Sequence, residues 1–380
     1  MRILLVGNYL PDRQQSMLRF GATLHEQLRA RGQDVHLLAP EPRWPRWLGG
    51  GRSKWAGYLD KYVLFPSRLS RWVRAHTAAA SGRAVVHVVD HSNAVYVPRQ
   101  PTVPWVATCH DLLAVRGALG EATDCPASPL GRRLQGAIVA GLARTSAIAT
   151  VSTSTLQDVN RIVPAGGQRR RVILLGLNHP YQPVPPKDAR ARLAALPGVP
   201  WTEPFLLHVG SNLTRKNKAG VLRVFARLAA EWPGNLIFCG AELPSDLAAG
   251  AATAGLAGRV FAVPSLDNAQ LEAAYSLAHA LLFPSRFEGF GWPIIEAQAC
   301  GCPVVCSDTT SLPEVAGDAA LVHGLQDEAG MAESLRRLTE ADFRASVVAR
   351  GFANLSRFGA GRMLDEYLAL YEEVSSRRPS

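Results

Sequence analysis

The sequence contains no apolar run of the ~20 residues that a membrane-spanning helix needs. We therefore expect a protein that is either soluble or bound to a membrane surface. Disorder is excluded as well, because 47% of the 380 residues are hydrophobic and only 19% are charged. A chain of this length favours two domains of ordinary size over a single core.

Cysteine is scarce, and the six cysteines lack the paired spacing of a zinc site: Cys109, Cys125, Cys239, Cys300, Cys302 and Cys306. Most of them stand in apolar stretches, where a free thiol behaves as a small hydrophobic side chain. We expect buried, reduced thiols and hence a cytoplasmic protein.

Acidic residues are under-represented in the first 180 residues, which hold 23 Lys and Arg against 10 Asp and Glu, whereas the remaining 200 hold 18 against 21. This asymmetry indicates an anionic partner of the first half, either a membrane or a nucleic acid.

The segment 43–83, from Arg43 to Arg83, holds nine Lys or Arg and one acid, together with Trp44, Trp47, Trp55 and Trp72. Such a segment is typical of an anionic membrane interface or of single-stranded nucleic-acid binding. An insertion whose aromatic side chains pack inward would fit it equally well.

Apolar runs of strand length alternate with longer helical patterns, which predicts βα units and parallel sheets. The predicted strands are residues 3–6, 35–38, 85–89, 105–108 and 148–151, then 205–209, 236–239, 260–263, 280–283 and 304–306. A proline-rich run at 180–186 indicates a linker. We predict a Rossmann-like domain over 1–180, a second over 181–358, and a C-terminal helix over 359–380 that packs back on the first. The fold class is α/β, with two doubly wound sheets facing each other across a ligand-binding cleft.

The segment 283–322 contains the strongest candidate ligand-binding and catalytic residues. A predicted strand ends at Phe283, two glycines follow, and Pro293 stands where a helix would open. A glycine-rich turn before a helix N-terminus can bind phosphate. Glu288 and Glu296 flank this turn and could contact different parts of one extended ligand. On spacing alone, a surface acid and a helix-solvating acid explain the two glutamates equally well.

A longer pattern favours the functional interpretation. The run E-G-F-G-x-P-x-x-E-A-x-A-x-G-x-P-V, beginning at Glu288, resembles the signature of the retaining glycosyltransferases of family four, which have the GT-B fold. By this resemblance, Glu296 would bind the ribose hydroxyls of a nucleotide donor and Glu288 the hydroxyls of the transferred sugar. The backbone amides of Gly289, Phe290 and Gly291 would hold the diphosphate or the sugar. The base would meet the backbone near Val263 to Leu266.

A second element, V-G-x-x-x-x-R-K-N, is similar to another motif of that family and places Arg215 and Lys216 before a helix. Two cations beside helix N–H groups suit a diphosphate leaving group, whose growing charge must be neutralised. Ser211 stands where many relatives have an arginine, so its contribution to donor binding is open. A solvated basic loop is the alternative explanation of this segment.

The first half offers two further candidates. His110 follows a predicted strand, as in the family's His-Asp pair, which implies a contact to the donor sugar or phosphate. A structural hydrogen bond is the alternative role of such a histidine. The loop after the first strand carries Asp12, Arg13, Gln14 and Ser16, which we expect to face the acceptor or a donor phosphate.

The resemblance implies a retaining transferase that moves a sugar from a UDP- or GDP-linked donor to a saccharide or lipid-linked acceptor, in polysaccharide or glycolipid synthesis. We expect no cofactor and no metal, because the sequence lacks the Asp-x-Asp motif of the other main glycosyltransferase fold. Lipid-linked acceptors favour a peripheral position on the inner face of the cell membrane, through segment 43–83, over a nucleic-acid partner. A nucleotide-sugar epimerase or sugar phosphorylase on the same fold, or a membrane- or nucleic-acid-binding module, remains an alternative.

Overall fold

A computed structural model of the protein describes residues 1–12, 14–43, 51–78 and 83–376. The chain divides into two compact units. The first comprises Met1–Leu174 together with Ala360–Ser380, and the second comprises Leu175–Gly359.

The first unit is built on a six-stranded parallel sheet with the order β2-β1-β3-β4-β5-β6. Its strands are β1 (Arg2–Val6), β2 (Asp34–Leu38), β3 (Ala84–Val88), β4 (Trp105–Cys109), β5 (Ala147–Thr150) and β6 (Arg169–Val172). All five strands predicted in this half are present. The sixth was missed because it reads Arg-Arg-Arg-Val, a pattern without apolar alternation. An edge strand can carry charge, since one of its sides is not covered by another strand.

Helices flank this sheet and cover its apolar residues. They are α1 (Gln15–Ala30), α2 (Gly51–Leu59), α3 (Phe65–Ala78), α4 (Leu113–Ala118), α5 (Pro129–Leu142) and α6 (Thr153–Ile162). A π-helical turn, Asp60–Leu64, joins α2 to α3 without a break.

The second unit repeats the architecture, with a six-stranded parallel sheet in the order β12-β11-β10-β7-β8-β9. Its strands are β7 (Phe205–Val209), β8 (Asn235–Cys239), β9 (Val260–Val263), β10 (Ala280–Phe283), β11 (Val304–Ser307) and β12 (Leu321–His323). Its helices are α7 (Pro186–Leu193), α8 (Lys218–Leu228), α9 (Ser245–Thr253), α10 (Asn268–Leu277), α11 (Trp292–Ala299), α12 (Leu312–Ala316), α13 (Glu328–Arg337) and α14 (Ala341–Asn354). Strand β12 was not predicted, because three residues are too few to show a period.

The last helix, α15 (Ala360–Ser375), belongs to the first unit. Two of its tyrosines reach buried polar groups of the sheet. The Tyr371 hydroxyl lies 2.6 Å from His87 Nδ1, and the Tyr367 hydroxyl lies 2.8 Å from Thr108 Oγ1. His87 Nε2 and Thr108 Oγ1 are themselves 2.8 Å apart, so the four side chains form one network.

The boundary between the units falls after Leu174, six residues before the predicted one. Hydrogen bonds explain the difference, because the backbone before the proline-rich run is already bound to the second unit. Trp292 Nε1 donates to the Gly176 carbonyl (3.1 Å), and the Leu177 amide donates to the Phe358 carbonyl (3.4 Å). The run 180–186 therefore lies within the second unit, near its beginning, and is not a linker between the units.

Candidate active site

In the second unit the chain leaves β7 in one direction, through β8 and β9, and returns to add β10, β11 and β12 on the other side. Neighbouring strands β7 and β10 therefore mark the point where the strand order reverses, which is where doubly wound sheets bind ligands. The loop after β7 carries Arg215 and Lys216, and the loop after β10 carries Glu288.

These three side chains form one ionic cluster. Lys216 Nζ lies 2.6 Å from Glu288 Oε1, and an Arg215 guanidinium nitrogen lies 3.1 Å from Oε2. Glu288 is buried, and burial by itself raises the pKa of its carboxyl. The charges of Lys216 and Arg215 outweigh that effect, and the pKa of Glu288 is lowered. Two cations against one carboxylate leave a net positive charge for an anionic ligand.

The glycine turn that follows Glu288 is held in a single conformation. Gly291 precedes α11 with a φ of 105°, and a Cβ at this position would lie 2.8 Å from Leu312 Cδ2. Only glycine suits both the backbone and the space. The Ser311 hydroxyl lies within hydrogen-bond distance of two carbonyls of this turn, those of Glu288 (2.9 Å) and Phe290 (2.8 Å), and shares its single proton between them. These contacts stabilise the turn.

Glu296 lies in α11 and is buried, with both carboxylate oxygens engaged. Oε1 accepts from Asn178 Nδ2 at 3.1 Å, and Oε2 accepts from the Tyr275 hydroxyl at 3.0 Å. Burial raises the pKa of Tyr275 well above its usual value, so the phenol remains a neutral donor. These two contacts orient the carboxylate of Glu296.

The remaining donor-side predictions lie in the loop after β7, at the end of β9 and in the loop before α10. Ser211 is exposed in the loop after β7. Val263 ends β9, and its carbonyl accepts from the Gly240 amide at 2.9 Å. Leu266 is half-buried in the loop before α10. The contact of Val263 and Leu266 with a base stays a prediction, as does any contribution of Ser211 to donor binding.

The first unit has its own reversal of strand order, between β1 and β3. Two polar residues that follow these strands meet there, because Asn8 Nδ2 lies 2.5 Å from Asp90 Oδ2 and also donates to Gln14 Oε1 (2.6 Å). Asp90 is buried, and burial raises the pKa of its carboxyl. Contacts from His91 and Ser92 outweigh burial and hold that pKa well below the usual range.

His110 follows β4 in the same unit and is buried. Its Nε2 lies 3.0 Å from the Val89 carbonyl, which can only accept, so this nitrogen carries the proton. Burial is the largest influence on the ring and lowers the pKa of His110. The carboxylate of the neighbouring Asp111 accepts from the amide of Leu113, the first residue of α4, at 3.0 Å.

The loop after β1 is fastened to the π-helical turn. Asp12 Oδ2 accepts from Lys61 Nζ at 2.9 Å, and the Tyr9 hydroxyl donates to the buried Asp60 at 2.8 Å. Ser16 is exposed in the first turn of α1. Arg13 lies outside the described residues, as do Trp44 and Trp47.

A sequence model of the family described as glycosyl transferases group 1 matches residues 194–346. The second unit therefore matches the group 1 glycosyltransferase family over 153 residues, which are less than half of the 380 in the chain. An O-antigen chain mannosyltransferase B from Escherichia coli is 33% identical over 221 residues, which are 56% of this chain and 56% of that enzyme. The chain thus matches little more than half the length of this relative. A D-inositol 3-phosphate glycosyltransferase from Xylanimonas cellulosilytica is 29% identical over 73% of this chain and 68% of its own length.

Solved structures share the fold. A sucrose-phosphate synthase from Thermosynechococcus elongatus has a TM-score of 0.73 at 20% identity, covering 99% of both chains. WaaG, a glycosyltransferase involved in lipopolysaccharide biosynthesis, has a TM-score of 0.70 at 16% identity over 99% of this chain and 100% of its own. These likenesses confirm the predicted GT-B class, with two parallel six-stranded sheets and their helices.

Sequence reasoning did not identify three polar residues of the first unit: Asn8, Asp90 and His91. Each lies two or three residues after the end of a buried strand, and that position was the available signal. Recognising their contact also required the strand order, since β1 and β3 are neighbours although α1, β2, α2 and α3 separate them in the chain.

Within the described ranges, no three His, Cys, Asp or Glu side chains are grouped so as to hold a metal ion. No described helix is both long and apolar enough to cross a bilayer. Of the two described tryptophans in segment 43–83, Trp55 is 67% exposed and Trp72 is half-buried against His76.

Proposed function

We propose that the chain is a group 1 glycosyltransferase that moves a sugar, with retention of configuration, from a UDP- or GDP-linked donor to a saccharide or lipid-linked acceptor. The single observation that carries this proposal is the contact of Lys216 and Arg215 with Glu288 at the reversal of strand order. Its relatives include an O-antigen chain mannosyltransferase, which favours a role in cell-surface polysaccharide or glycolipid synthesis.

The two cations bind the donor diphosphate in this proposal. Arg215 and Lys216 stand three and two residues before the first residue of α8, and the N-terminus of this helix adds partial positive charge. As the glycosidic bond breaks, negative charge grows on the diphosphate, and preorganised cations stabilise it without a reorganisation cost. We infer that no metal and no cofactor are required.

Glu288 and Glu296 divide the rest of the donor between them. Glu288 accepts hydrogen bonds from hydroxyls of the transferred sugar, beside the amides of Gly289, Phe290 and Gly291. Glu296 accepts from the ribose diol, for which Asn178 and Tyr275 hold its carboxylate in place. The base contacts the segment 263–266.

The acceptor attacks from the face that the diphosphate leaves, and the departing phosphate takes its proton. No carboxylate is assigned as a nucleophile. His110 keeps the proton on Nε2, so Nδ1 of the neutral ring is an acceptor. That tautomer favours a contact with a sugar hydroxyl over one with a phosphate oxygen.

Thermal denaturation in the presence of a ligand panel tests the donor class. We expect UDP or GDP, and the corresponding nucleotide sugars, to raise the Tm, by an amount that grows with concentration. An increase with RNA alone would support the nucleic-acid-binding alternative, and no shift with any nucleotide would contradict the proposal.

We also propose that helices α2 and α3 rest on the anionic inner face of the cell membrane. Trp55, Leu59 and Val63 recur at four-residue spacing and are 67%, 46% and 58% exposed. Arg71 and Arg74 continue the exposed face toward the end of α3. Apolar insertion beside basic residues is the pattern of an interfacial helix, and it suits an enzyme with a lipid-linked acceptor.

Sedimentation with vesicles containing phosphatidylglycerol tests this surface. We expect co-sedimentation at low salt, weaker binding at 0.5 M salt because charges are screened, and a clear loss with Trp55→Ser combined with Val63→Ser. The matched control is Leu119→Ser, which removes a residue of similar exposure (62%) on the same unit. Equal binding of all three proteins, or no binding to anionic vesicles, would contradict the proposal.

A further inference from the structure

Lys216, which precedes α8, and Lys218, the first residue of α8, extend toward the two different strands that flank β7. Lys216 Nζ lies 5.1 Å from the centre of the Phe283 ring at the end of β10, whereas Lys218 Nζ lies 5.3 Å from the Phe238 ring on β8. Strands β10, β7 and β8 are consecutive in the sheet, with neighbours ~4.8 Å apart. Lys216 therefore reaches the Glu288 side of the site, and Lys218 reaches the β8 side.

Lys218 is buried, and its ammonium has a neutral hydrogen-bond partner among the described residues. The residue is 8% exposed, and its ammonium donates to Asn212 Oδ1 at 2.8 Å. Asn212 is held in turn by the Glu242 carbonyl, to which its Nδ2 donates at 3.0 Å. No carboxylate pairs with Lys218 in the described part of the chain.

A buried ammonium with one neutral acceptor is unfavourable, because desolvation is not offset by an opposite charge. Burial accordingly lowers the pKa of Lys218. Methionine or leucine would fill the same space between α8 and β8 without this cost. The lysine is therefore better explained by a ligand than by packing.

The neighbours of Lys218 belong to the nucleoside end of the proposed donor site. Cys239 ends β8 and pairs in register with Val263, where the base is expected. Burial raises the pKa of the Cys239 thiol to about 12; Lys218 opposes this rise, and Glu296 adds to it. Phe238, whose ring lies 5.3 Å from the Lys218 ammonium, directly precedes Cys239 and pairs in register with Ala262.

We propose that Lys218 donates a hydrogen bond to a carbonyl oxygen of the donor's base and thereby selects uracil or guanine over cytosine and adenine. The inference rests on the proposed nucleotide-sugar function and adds a specificity-determining residue to it. An ammonium has donors and no acceptor, so it complements O4 of uracil or O6 of guanine. The amino groups that cytosine and adenine carry at the corresponding positions would place donor against donor.

Calorimetric titration of the wild type and Lys218→Met with UDP, GDP, CDP, ADP and inorganic pyrophosphate tests the assignment. Methionine keeps the length of the side chain and removes the charge, so we expect a folded variant with an unchanged or higher Tm without ligand. Affinity for the preferred nucleotide, UDP or GDP, should fall at least tenfold. Affinity for pyrophosphate should stay within twofold of the wild type, because Lys216 and Arg215 are intact.

Two further variants sharpen the result. Arg227→Met removes an exposed charge from the same helix and should leave every affinity unchanged. Asn212→Ala releases the Lys218 ammonium and should give a smaller loss with the same dependence on the base. Equal losses for pyrophosphate and nucleotides would assign Lys218 to phosphate and overturn the inference, as would unchanged affinities. A wild type that prefers ADP or CDP would overturn this inference alone, whereas one that binds no nucleotide would overturn the proposed function itself.

Discussion

At the scale of single residues, Glu288 is the central residue of the candidate site. The sequence identified this buried carboxylate as a candidate but did not show which side chains it contacts. Its place after a strand and before a glycine turn made it a candidate. Its partners became visible only in the structure, because Arg215 and Lys216 lie more than 70 positions earlier in the chain. Spacing along the sequence does not reveal which strands are neighbours, and that relation brings the three side chains together.

Replacement of Glu288 by Gln separates binding from turnover. The amide keeps the shape and removes the charge that pairs with Lys216 and Arg215, so both cations become available to a diphosphate. We expect turnover to fall by about two orders of magnitude, or about 2.7 kcal/mol, while nucleoside diphosphate binds as tightly as before or more tightly. Initial rates and calorimetry measure the two quantities. The control is Glu242→Gln on an exposed acid, and wild-type turnover of Glu288→Gln would contradict the role given to it.

A buried histidine gives a pH dependence of known sign. Burial lowers the pKa of His208 to about 3, so the folded chain keeps it neutral while the unfolded chain protonates it below about pH 6.5. The unfolded state then binds more protons, and the free energy of unfolding should fall between pH 6.5 and 3 by up to ~1.4 kcal/mol per pH unit from this group. His208→Phe should reduce that slope in urea titrations, and an unchanged slope would show that His208 does not contribute.

At the scale of elements, strand prediction succeeded for the ten strands that contain an apolar run, including the edge strands β2 and β9, and failed for the other two. Strands β6 and β12 lie at the edges of their sheets and lack a continuous apolar run. Helix α15 was predicted from its period. Its attachment through Tyr367 and Tyr371 could not be predicted, since an apolar pattern does not show which polar group a buried tyrosine hydroxyl contacts.

The attachment of α15 can be tested by removing one hydroxyl. Tyr371→Phe leaves His87 Nδ1 buried without a partner, at a cost of roughly 1–3 kcal/mol. Denaturant unfolding, monitored by near-ultraviolet circular dichroism, should show this loss of stability. Tyr58→Phe, which changes a half-buried tyrosine of α2, should have a smaller effect. Equal stability of Tyr371→Phe and the wild type would mean that the network does not hold the helix.

At the scale of the whole molecule, the fold class and the family could be predicted from one dense motif and the alternation of strands and helices. The boundary between the units required the structure, because backbone hydrogen bonds at residues 176 and 177 assign that stretch to the second unit. The contact of Asn8 with Asp90 could not be predicted either, because it depends on β1 and β3 being neighbours in the sheet. The chemical identity of the acceptor leaves no comparable pattern in the sequence.

The central claim is that the chain transfers a sugar from a nucleoside diphosphate. Mass spectrometry of the products, after incubation with a panel of nucleotide sugars and lipid-linked or saccharide acceptors, tests it most directly. We predict a product heavier than the acceptor by one sugar residue, released nucleoside diphosphate in equal amount, and loss of both with Lys216→Ala. Interconversion of the nucleotide sugar without transfer, or no reaction with any donor that the protein binds, would contradict the account.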